Sequence, residues 1–193
     1  MVTYYVDTAP YPASGCTDSP TPGNCITDAQ IQTEITKVMG INGWTGGINK
    51  MFLLYTSSGE GSCFDSSNTS CAYVQYCAYH SFYGGTTTPI IYGNQPYGGV
   101  IGCVAGGQTT PNSDIAADGA ASTASHEISE AITDPLLNAW FDASGNENGD
   151  LCNFIFGTNT WDSGKANQMW NGYFFELQEE YSNNKLACVQ SGP

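Results

Sequence analysis

Eight cysteines in a chain of 193 residues constrain the fold more than any other feature of the sequence. An even number of cysteines is typical of disulfides formed in an oxidising compartment. The alternative, a zinc site made of thiolates, usually shows two cysteines separated by two residues, and this spacing does not occur. Eight cysteines allow 105 pairings. Short loops favour Cys16–Cys25 and Cys63–Cys71, which leaves Cys77–Cys103 and Cys152–Cys188 as the expected remaining pairs.

The charge balance of the chain excludes two large classes of partner. With 18 acidic and 4 basic residues the formal net charge is −14, whereas nucleic acids and anionic membranes require a basic surface. The sequence also lacks an apolar run of about 18 residues, which a membrane-spanning helix needs. Together with the disulfides, a charged fraction of only 11% predicts a secreted protein. We expect a monomer, because a chain of this length can bury a core without a partner.

The pattern of apolar residues predicts an α+β fold formed by a single domain over residues 1–193. The first helix should begin after Thr27, which forms a capping box with Gln30, and should end at Gly40. A second, alanine-rich helix should cover about 119–133, since the residue before Pro135 avoids the helical conformation. Short apolar runs predict strands at 2–6, 51–57, 72–79, 89–92, 99–104, 173–178 and 186–189. We therefore expect a mixed or largely antiparallel sheet packed on two main helices, with long loops stapled by disulfides.

The second predicted helix carries the chemistry, in the segment His126-Glu127-x-x-Glu130. Residues four apart lie on one face of a helix, so His126 and Glu130 could bind one cation. Glu127 lies about 100° further round, beside the cation rather than on it. The HExxH motif of zinc peptidases uses this geometry, with a histidine at the position of Glu130. In that chemistry zinc lowers the pKa of a bound water, and the glutamate after the first histidine activates this water by taking its proton.

The same three residues could instead form an ordinary acidic helix face with a hydrogen-bonded histidine. Two features favour the zinc site. Residues 119–125 are small and uncharged, so a histidine and two acids stand out on this helix. An acidic turn also follows, with Glu147 and Asp150 lying 17 and 20 residues after Glu130. This distance suits a third ligand from a neighbouring element.

Residues 125–152 carry a resemblance to a known family, in the pattern SHExxExxTDPxxNAWxDxxGxExGDxC. The pattern resembles secreted bacterial and fungal proteins related to the plant phosphate-induced, or exordium, family. Matching segments at 77–81, 91–93, 111–114, 177–178 and 181–183 extend the resemblance over roughly residues 50–190. The microbial members that keep the His-Glu pair look like zinc metallopeptidases, whereas the plant members lack it and are associated with growth signalling at the cell wall. The resemblance implies a secreted protein with its site on the second helix.

The third zinc ligand has four candidates. Glu147 comes first, because it resembles the downstream glutamate of thermolysin-like enzymes, which an Asn also precedes and an Asp also follows. Asp150 is next, at a spacing that also fits. Asp134 could reach the ion only if the helix breaks before Pro135. His80, in a matching segment, is the last candidate, and in catalysis it could instead polarise the substrate carbonyl as an oxyanion donor.

A second pair of acids, Asp114 and Asp118, lies just before the predicted helix. Hard oxygen ligands of this kind could hold Ca²⁺, which often locks loops in secreted peptidases. The alternative is that these aspartates form local turns. Calcium is therefore a candidate cofactor besides zinc.

These observations predict a secreted zinc-dependent endopeptidase that acts on protein or peptide substrates. Because metal ligands must be deprotonated, a glutamate ligand should retain zinc at lower pH than a histidine, so we expect activity in acid. The alternative is a non-catalytic extracellular protein that binds or signals at the cell wall. A glycoside hydrolase using Glu127 and Glu130 is disfavoured, since its two acids must lie on opposite sides of a sugar.

Overall fold

The computed structural model describes residues 2–21, 23–100, 102–103 and 109–191. Within these ranges, helices α1 and α2 span Asp28–Asn42 and Ile115–Thr133. Short 3-10 helices cover Asp150–Cys152 and Asp162–Gly164. The strands are β1 Asn24–Thr27, β2 Met51–Tyr55, β3 Glu60–Cys63, β4 Tyr79–Tyr83, β5 Ile90–Gln95, β6 Gln168–Trp170, β7 Tyr173–Phe175, β8 Glu180–Ser182 and β9 Ala187–Val189.

Three strands form the central sheet in the order β2–β5–β4. Strand β2 is parallel to β5 and β4 is antiparallel to it, so the sheet is mixed. Strands β1 and β3 form a separate parallel pair, while β6–β7 and β8–β9 are antiparallel pairs. Helix α2 packs against β4 and β5, and helix α1 packs against β1 and β2. The predicted α+β class, with a mixed sheet and two main helices, is confirmed.

Helix α1 begins as the capping residues predict. The Thr27 N–H donates to the side-chain oxygen of Gln30 at 2.9 Å. The helix continues past Gly40, its predicted end, and stops at Gly43, whose φ of +65° is a conformation that glycine adopts without strain. Its apolar face joins the main core, which contains Ile26, Ile31, Ile35, Met39, Tyr79 and Tyr92.

Helix α2 starts at Ile115, earlier than the predicted residue 119, because Asp114 caps it. The Asp114 carboxylate accepts hydrogen bonds from two N–H groups of the first turn. The helix ends at Thr133, as predicted. Asp134 follows as the C-terminal cap, and its carboxylate accepts two N–H groups of the next turn. The chain is thereby fixed where it leaves the helix.

All four predicted disulfides are confirmed: Cys16–Cys25, Cys63–Cys71, Cys77–Cys103 and Cys152–Cys188. The first two lie together in a small buried cluster beside β1 and β3. The last joins the 3-10 helix that follows the acidic turn to β9. These bonds connect loops that contain little regular structure. Each disulfide in a small domain contributes about 2–5 kcal/mol to stability, so the loops depend on them.

The strand predictions are less accurate than the helix predictions. The described residues 2–6 form no strand, and Val2 is 99% exposed; β-branched and aromatic residues favour a strand only where a partner and a buried face exist. Residues 72–79 contain an isolated bridge, and regular pairing begins only at Tyr79. The predicted strand 99–104 includes residues 101 and 104, which lie outside the described ranges, and its other residues form turns. The predictions at 51–57, 89–92, 173–178 and 186–189 each overlap an observed strand, with shifted ends.

One buried acid lies against Gly61 of β3. Asp18 is fully buried, and its Oδ2 accepts the Thr21 hydroxyl at 2.6 Å. Its Oδ1 has no hydrogen-bond partner within the described ranges. Burial raises the pKa of Asp18, and the hydrogen bond from Thr21 opposes this rise only in part. Asp18 therefore keeps its proton to higher pH in the folded chain than in the unfolded chain.

Candidate metal centre

Three separate segments of the chain meet where α2 packs on the sheet. His80 lies on β4, opposite Gly93 of β5 in the register. His126, Glu127 and Glu130 lie on α2, which packs against these two strands. The acidic turn then returns to α2, where the Asp150 N–H donates to Glu130 Oε1 at 3.1 Å. The fold thus assembles a site from a strand, a helix and a turn.

The first cluster in this site, the outer group, consists of His126, Glu130 and Asp150, whose ligand atoms lie within 4.8 Å of one another. His126 Nε2 is 3.0 Å from Glu130 Oε1 and 3.7 Å from Asp150 Oδ1. Two ligands of one tetrahedral zinc ion, each bonded at about 2.0–2.2 Å, lie roughly 3.3 Å apart, so these atoms fit a single ion. The Asp150 side chain is 40% exposed. The outer group is therefore open to solvent, as a catalytic zinc site requires.

The second cluster, the inner group, consists of His80, Glu127 and Glu130. His80 Nδ1 lies 3.5 Å from both Glu127 Oε2 and Glu130 Oε2. The three side chains are only 2%, 6% and 5% exposed, respectively. The two groups share Glu130, whose Oε1 faces His126 and whose Oε2 faces His80. Glu127 belongs to the inner group only, which agrees with its expected position beside the outer ligands rather than among them.

The buried charges change the proton affinities of all four residues. Burial lowers the pKa of each histidine, but the neighbouring glutamates more than offset it, so the pKa of His80 rises to about 10 and that of His126 to about 9. Burial raises the pKa of Glu130, but the two histidines reverse this effect and lower it to about 2. Burial keeps the pKa of Glu127 above its usual range. Without a metal ion, the protonated histidines supply the positive charge that offsets the neighbouring carboxylates. A metal ion has to displace these protons before it can bind the histidines.

The remaining candidate ligands lie on the His80 side of the site. Glu147 Oε1 is 3.8 Å from His80 Nε2, and it has no hydrogen-bond partner among the described residues. Burial raises the pKa of Glu147 to about 7. Asp134 caps the turn after α2 through its carboxylate, and its carbonyl oxygen lies 3.3 Å from His80 Nε2. The structure therefore brings Asp150 to His126 and leaves Glu147 and Asp134 on the opposite side.

Sequence reasoning misses Gln178, which contacts the far side of the His126 ring. Gln178 Nε2 lies 2.8 Å from His126 Nδ1 and donates to the Gly149 carbonyl at 2.8 Å. Its Oε1 accepts the Phe154 N–H at 3.0 Å. A histidine that binds a metal through Nε2 carries its proton on Nδ1 and needs an acceptor there. Zinc binding by the outer group therefore requires the Gln178 amide to turn its oxygen towards His126.

Gly149 is the second residue that sequence reasoning misses. Its backbone lies so close to the outer group that a Cβ would be 2.9 Å from both Glu130 Oε1 and His126 Nδ1. Its φ of −71° and ψ of −44° are accessible to any residue. Space rather than backbone conformation thus requires a glycine here. The sequence did contain a signal for each residue. Gly149 is the glycine of the ExGD segment, and Gln178 lies in a segment that matches the family.

A cavity of about 280 Å³ opens beside the outer group. His126, Glu127 and Asp150 line it on one side. Its other walls include Tyr73, Tyr76, Ser122, Phe154, Phe156 and Gln178. The cavity therefore places an uncharged, partly aromatic surface directly next to the candidate zinc ligands.

Two further groups of ligand-type residues have other roles in the structure. Asp114 caps α2, and Asp118 accepts hydrogen bonds from the backbone and side chain of Asn112. Calcium binding by this pair remains a prediction. Cys16, Cys25 and Cys63 also cluster, but all three are in disulfides and offer no thiolate.

The fold and the site define an α+β protein with a candidate metal centre, and comparison with known proteins adds a relationship to the exordium family. Protein EXORDIUM-like 3 of Arabidopsis thaliana is 43% identical over 53 residues, which are 25% of this chain and 16% of that protein. Protein EXORDIUM-like 5 of the same plant is 36% identical over 52 residues, which are 25% of this chain and 14% of that protein. The match thus spans a small part of the relatives' own length. No family model and no solved structure matches the chain.

Proposed function

We propose that this chain is a secreted, zinc-dependent endopeptidase. The observation that carries the proposal is the convergence of His126 Nε2, Glu130 Oε1 and Asp150 Oδ1 at the rim of a cavity that Glu127 also lines. Spacing along one helix accounts for His126 and Glu130, but Asp150 comes from a different element. A third ligand on a neighbouring element, with a glutamate next to the first histidine, is the arrangement that peptide hydrolysis by zinc requires.

In the proposed mechanism the outer group, Glu127 and His80 have different roles. When bound to the outer group, zinc supplies a Lewis acid that lowers the pKa of a water molecule. Glu127 takes the proton of the attacking water and passes it to the leaving amine. Glu127 lines the cavity, whereas His80 is not among the described residues that line it, so His80 is not placed to contact a substrate carbonyl. We assign it instead to positioning Glu127, whose Oε2 lies 3.5 Å from its Nδ1.

The cavity suggests how a peptide substrate is held. It lies beside His126 and Glu127 and has uncharged walls that include Phe154 and Phe156. An uncharged side chain of the substrate would fit there and bring the neighbouring peptide bond to the outer group. The substrate class is therefore a peptide with an uncharged residue next to the cleaved bond.

Secretion and activity in acid belong to the same proposal. Four disulfides are consistent with an oxidising compartment, and neither described helix is long and apolar enough to cross a membrane. Acid activity is supported by the ligand set, which contains two carboxylates and one histidine, because carboxylates stay deprotonated to lower pH. With a net charge of −14, protonation of the acids also brings the chain closer to neutrality.

The test of the proposed function replaces the general base and leaves the ligands in place. Glu127→Gln should lower hydrolysis of a casein substrate by about 10²–10⁴-fold, as loss of a general base does, while the bound zinc stays unchanged. Glu34→Gln is the matched control, because it removes a half-buried carboxylate from α1, outside the candidate site. A Glu127→Gln variant that cleaves as fast as the control would refute the assignment.

A second candidate function is supported by the comparisons. Similarity to two EXORDIUM-like proteins favours a non-catalytic extracellular protein that binds or signals at the cell wall. In that case the wild type and Glu127→Gln would both be inactive on peptides over the whole pH range. Binding to isolated cell-wall polysaccharide, unchanged after metal removal, would then identify the second function.

A further inference from the structure

The inner group contains a histidine whose ring is oriented as metal binding needs. His80 Nε2 lies 3.3 Å from the Asp134 carbonyl oxygen, and a carbonyl can only accept a hydrogen bond. The proton of the neutral ring is therefore on Nε2, and the lone pair of Nδ1 points between Glu127 and Glu130. A backbone carbonyl that receives the other ring N–H is the usual partner of a metal-binding histidine.

The distances in the inner group also fit a divalent cation. The protonated His80 ring supplies positive charge beside the two carboxylates, and a metal ion bound to Nδ1 would take the place of its proton. A proton on Nδ1 would give charge-assisted hydrogen bonds of about 2.7–2.9 Å, whereas Nδ1 lies 3.5 Å from each of the two carboxylate oxygens. Ligands of one tetrahedral zinc ion are roughly 3.3 Å apart. We propose that His80, Glu127 and Glu130 form a second divalent-cation site, which shares Glu130 with the outer group.

Glu130 has the geometry of a bridging ligand. Its Oε1 lies 3.0 Å from His126 Nε2, while its Oε2 lies 3.5 Å from His80 Nδ1. Each oxygen therefore serves a different group, as in paired metal sites whose ions lie about 3.5–4 Å apart.

The carboxylates around the two groups exceed the charge of one divalent cation. Glu127, Glu130, Glu147 and Asp150 surround the two histidines, and Glu180 adds a further carboxylate that interacts with His126. A second divalent cation would offset more of this negative charge, which is unfavourable when it is buried and unpaired.

The second site has a consequence for the proposed peptidase, and this step rests on the proposed function. A carboxylate oxygen that coordinates a cation is not free to accept a proton. An ion in the inner group therefore withholds Glu127 from its role as general base. The protein with one ion in the outer group is then the active form, and excess zinc lowers peptide hydrolysis.

Zinc stoichiometry tests the second site without relying on activity. The metal-free full chain is dialysed against Zn²⁺, and the bound zinc is measured for the wild type, His80→Gln, His126→Gln and the control Glu34→Gln. We expect two zinc ions per chain in the wild type and control, and one in each histidine variant. X-ray absorption on the zinc-loaded wild type should show a zinc–zinc distance of roughly 3.5–4 Å, which does not depend on the folding of any variant.

The outcomes separate the second site from the proposed function. A single zinc ion in the wild type, lost in His126→Gln and kept in His80→Gln, refutes the second site and leaves the proposed function standing. A single ion lost only in His80→Gln supports the inner site and contradicts the proposed zinc position. A wild type that binds no zinc refutes both.

Discussion

Replacing Gly149 by alanine tests the geometry of the outer group with a single methyl group. The added Cβ would lie 2.9 Å from Glu130 Oε1 and 2.9 Å from His126 Nδ1. Cβ atoms in proteins essentially never lie so close to another heavy atom, so both side chains have to move. The backbone itself tolerates alanine, since Gly149 has φ −71° and ψ −44°. The substitution therefore displaces two candidate zinc ligands without changing their chemistry.

The expected size of the effect follows from how closely a metal site depends on ligand position. Changes to residues that orient ligands typically cost 10–100-fold in metal affinity, which corresponds to about 1.4–2.7 kcal/mol. Gly149→Ala moves two ligands of one site, so we expect a loss of zinc affinity close to 100-fold, the larger end of that range. Stability of the metal-free protein should fall by about 1–3 kcal/mol, as overpacking of a tight site does.

The assay is a zinc titration against a competing chelator, combined with thermal unfolding of the metal-free protein. Gly40→Ala is the control, because Gly40 lies within α1 and no atom lies within 4 Å of the added Cβ. This control should bind zinc like the wild type and gain about 0.5–1 kcal/mol of stability from the reduced helix entropy cost. A Gly149→Ala variant with wild-type zinc affinity would show that His126 and Glu130 do not bind the ion together.

Three further predictions concern Asp18, Gln178 and Glu130. Because burial raises the pKa of Asp18, unfolding releases a proton between the unfolded and the folded pKa, and stability falls as pH rises through that window. The melting temperature of Asp18→Asn minus that of the wild type should therefore increase as the pH rises above the unfolded pKa of about 4. A difference that does not change with pH would contradict this. Gln178→Leu removes the hydrogen-bond partner of His126 and should weaken zinc binding about 10–100-fold without changing the stoichiometry; unchanged affinity in isothermal titration would exclude an orienting role. Glu130→His should lose zinc at higher pH than wild type, because a free histidine takes up its proton near pH 6.5 and a free glutamate only near about 4.3. A variant that retains zinc to lower pH than wild type would contradict the predicted acid activity.

The elements that local sequence determines were predictable. Thr27 and Asp134 mark the start of α1 and the end of α2 through capping and proline rules that involve only neighbouring residues. Two disulfides followed from short loops, because cysteines close in sequence are also close in space, and the other two were the pairs that remained. Residues 2–6 show the limit of this reasoning, since strand formation depends on a partner that local composition does not reveal.

In the candidate site, too, some contacts follow from local sequence and others depend on tertiary packing. His126 and Glu130 share a helix face, so their four-residue spacing was sufficient to bring them together. The choice between Glu147 and Asp150 depends on how the acidic turn returns to α2, which tertiary contacts determine. The position of His80 depends on packing between β4 and α2, and no local pattern could predict its contact with Glu127.

The central claim is that one zinc ion binds between His126, Glu130 and Asp150. The most direct test is anomalous diffraction at the zinc absorption edge from crystals of the full chain grown with one equivalent of Zn²⁺. The account predicts an anomalous peak about 2.0–2.2 Å from His126 Nε2, Glu130 Oε1 and Asp150 Oδ1. A crystal with no peak beside His126, or with its zinc only at a position away from these three atoms, would contradict it.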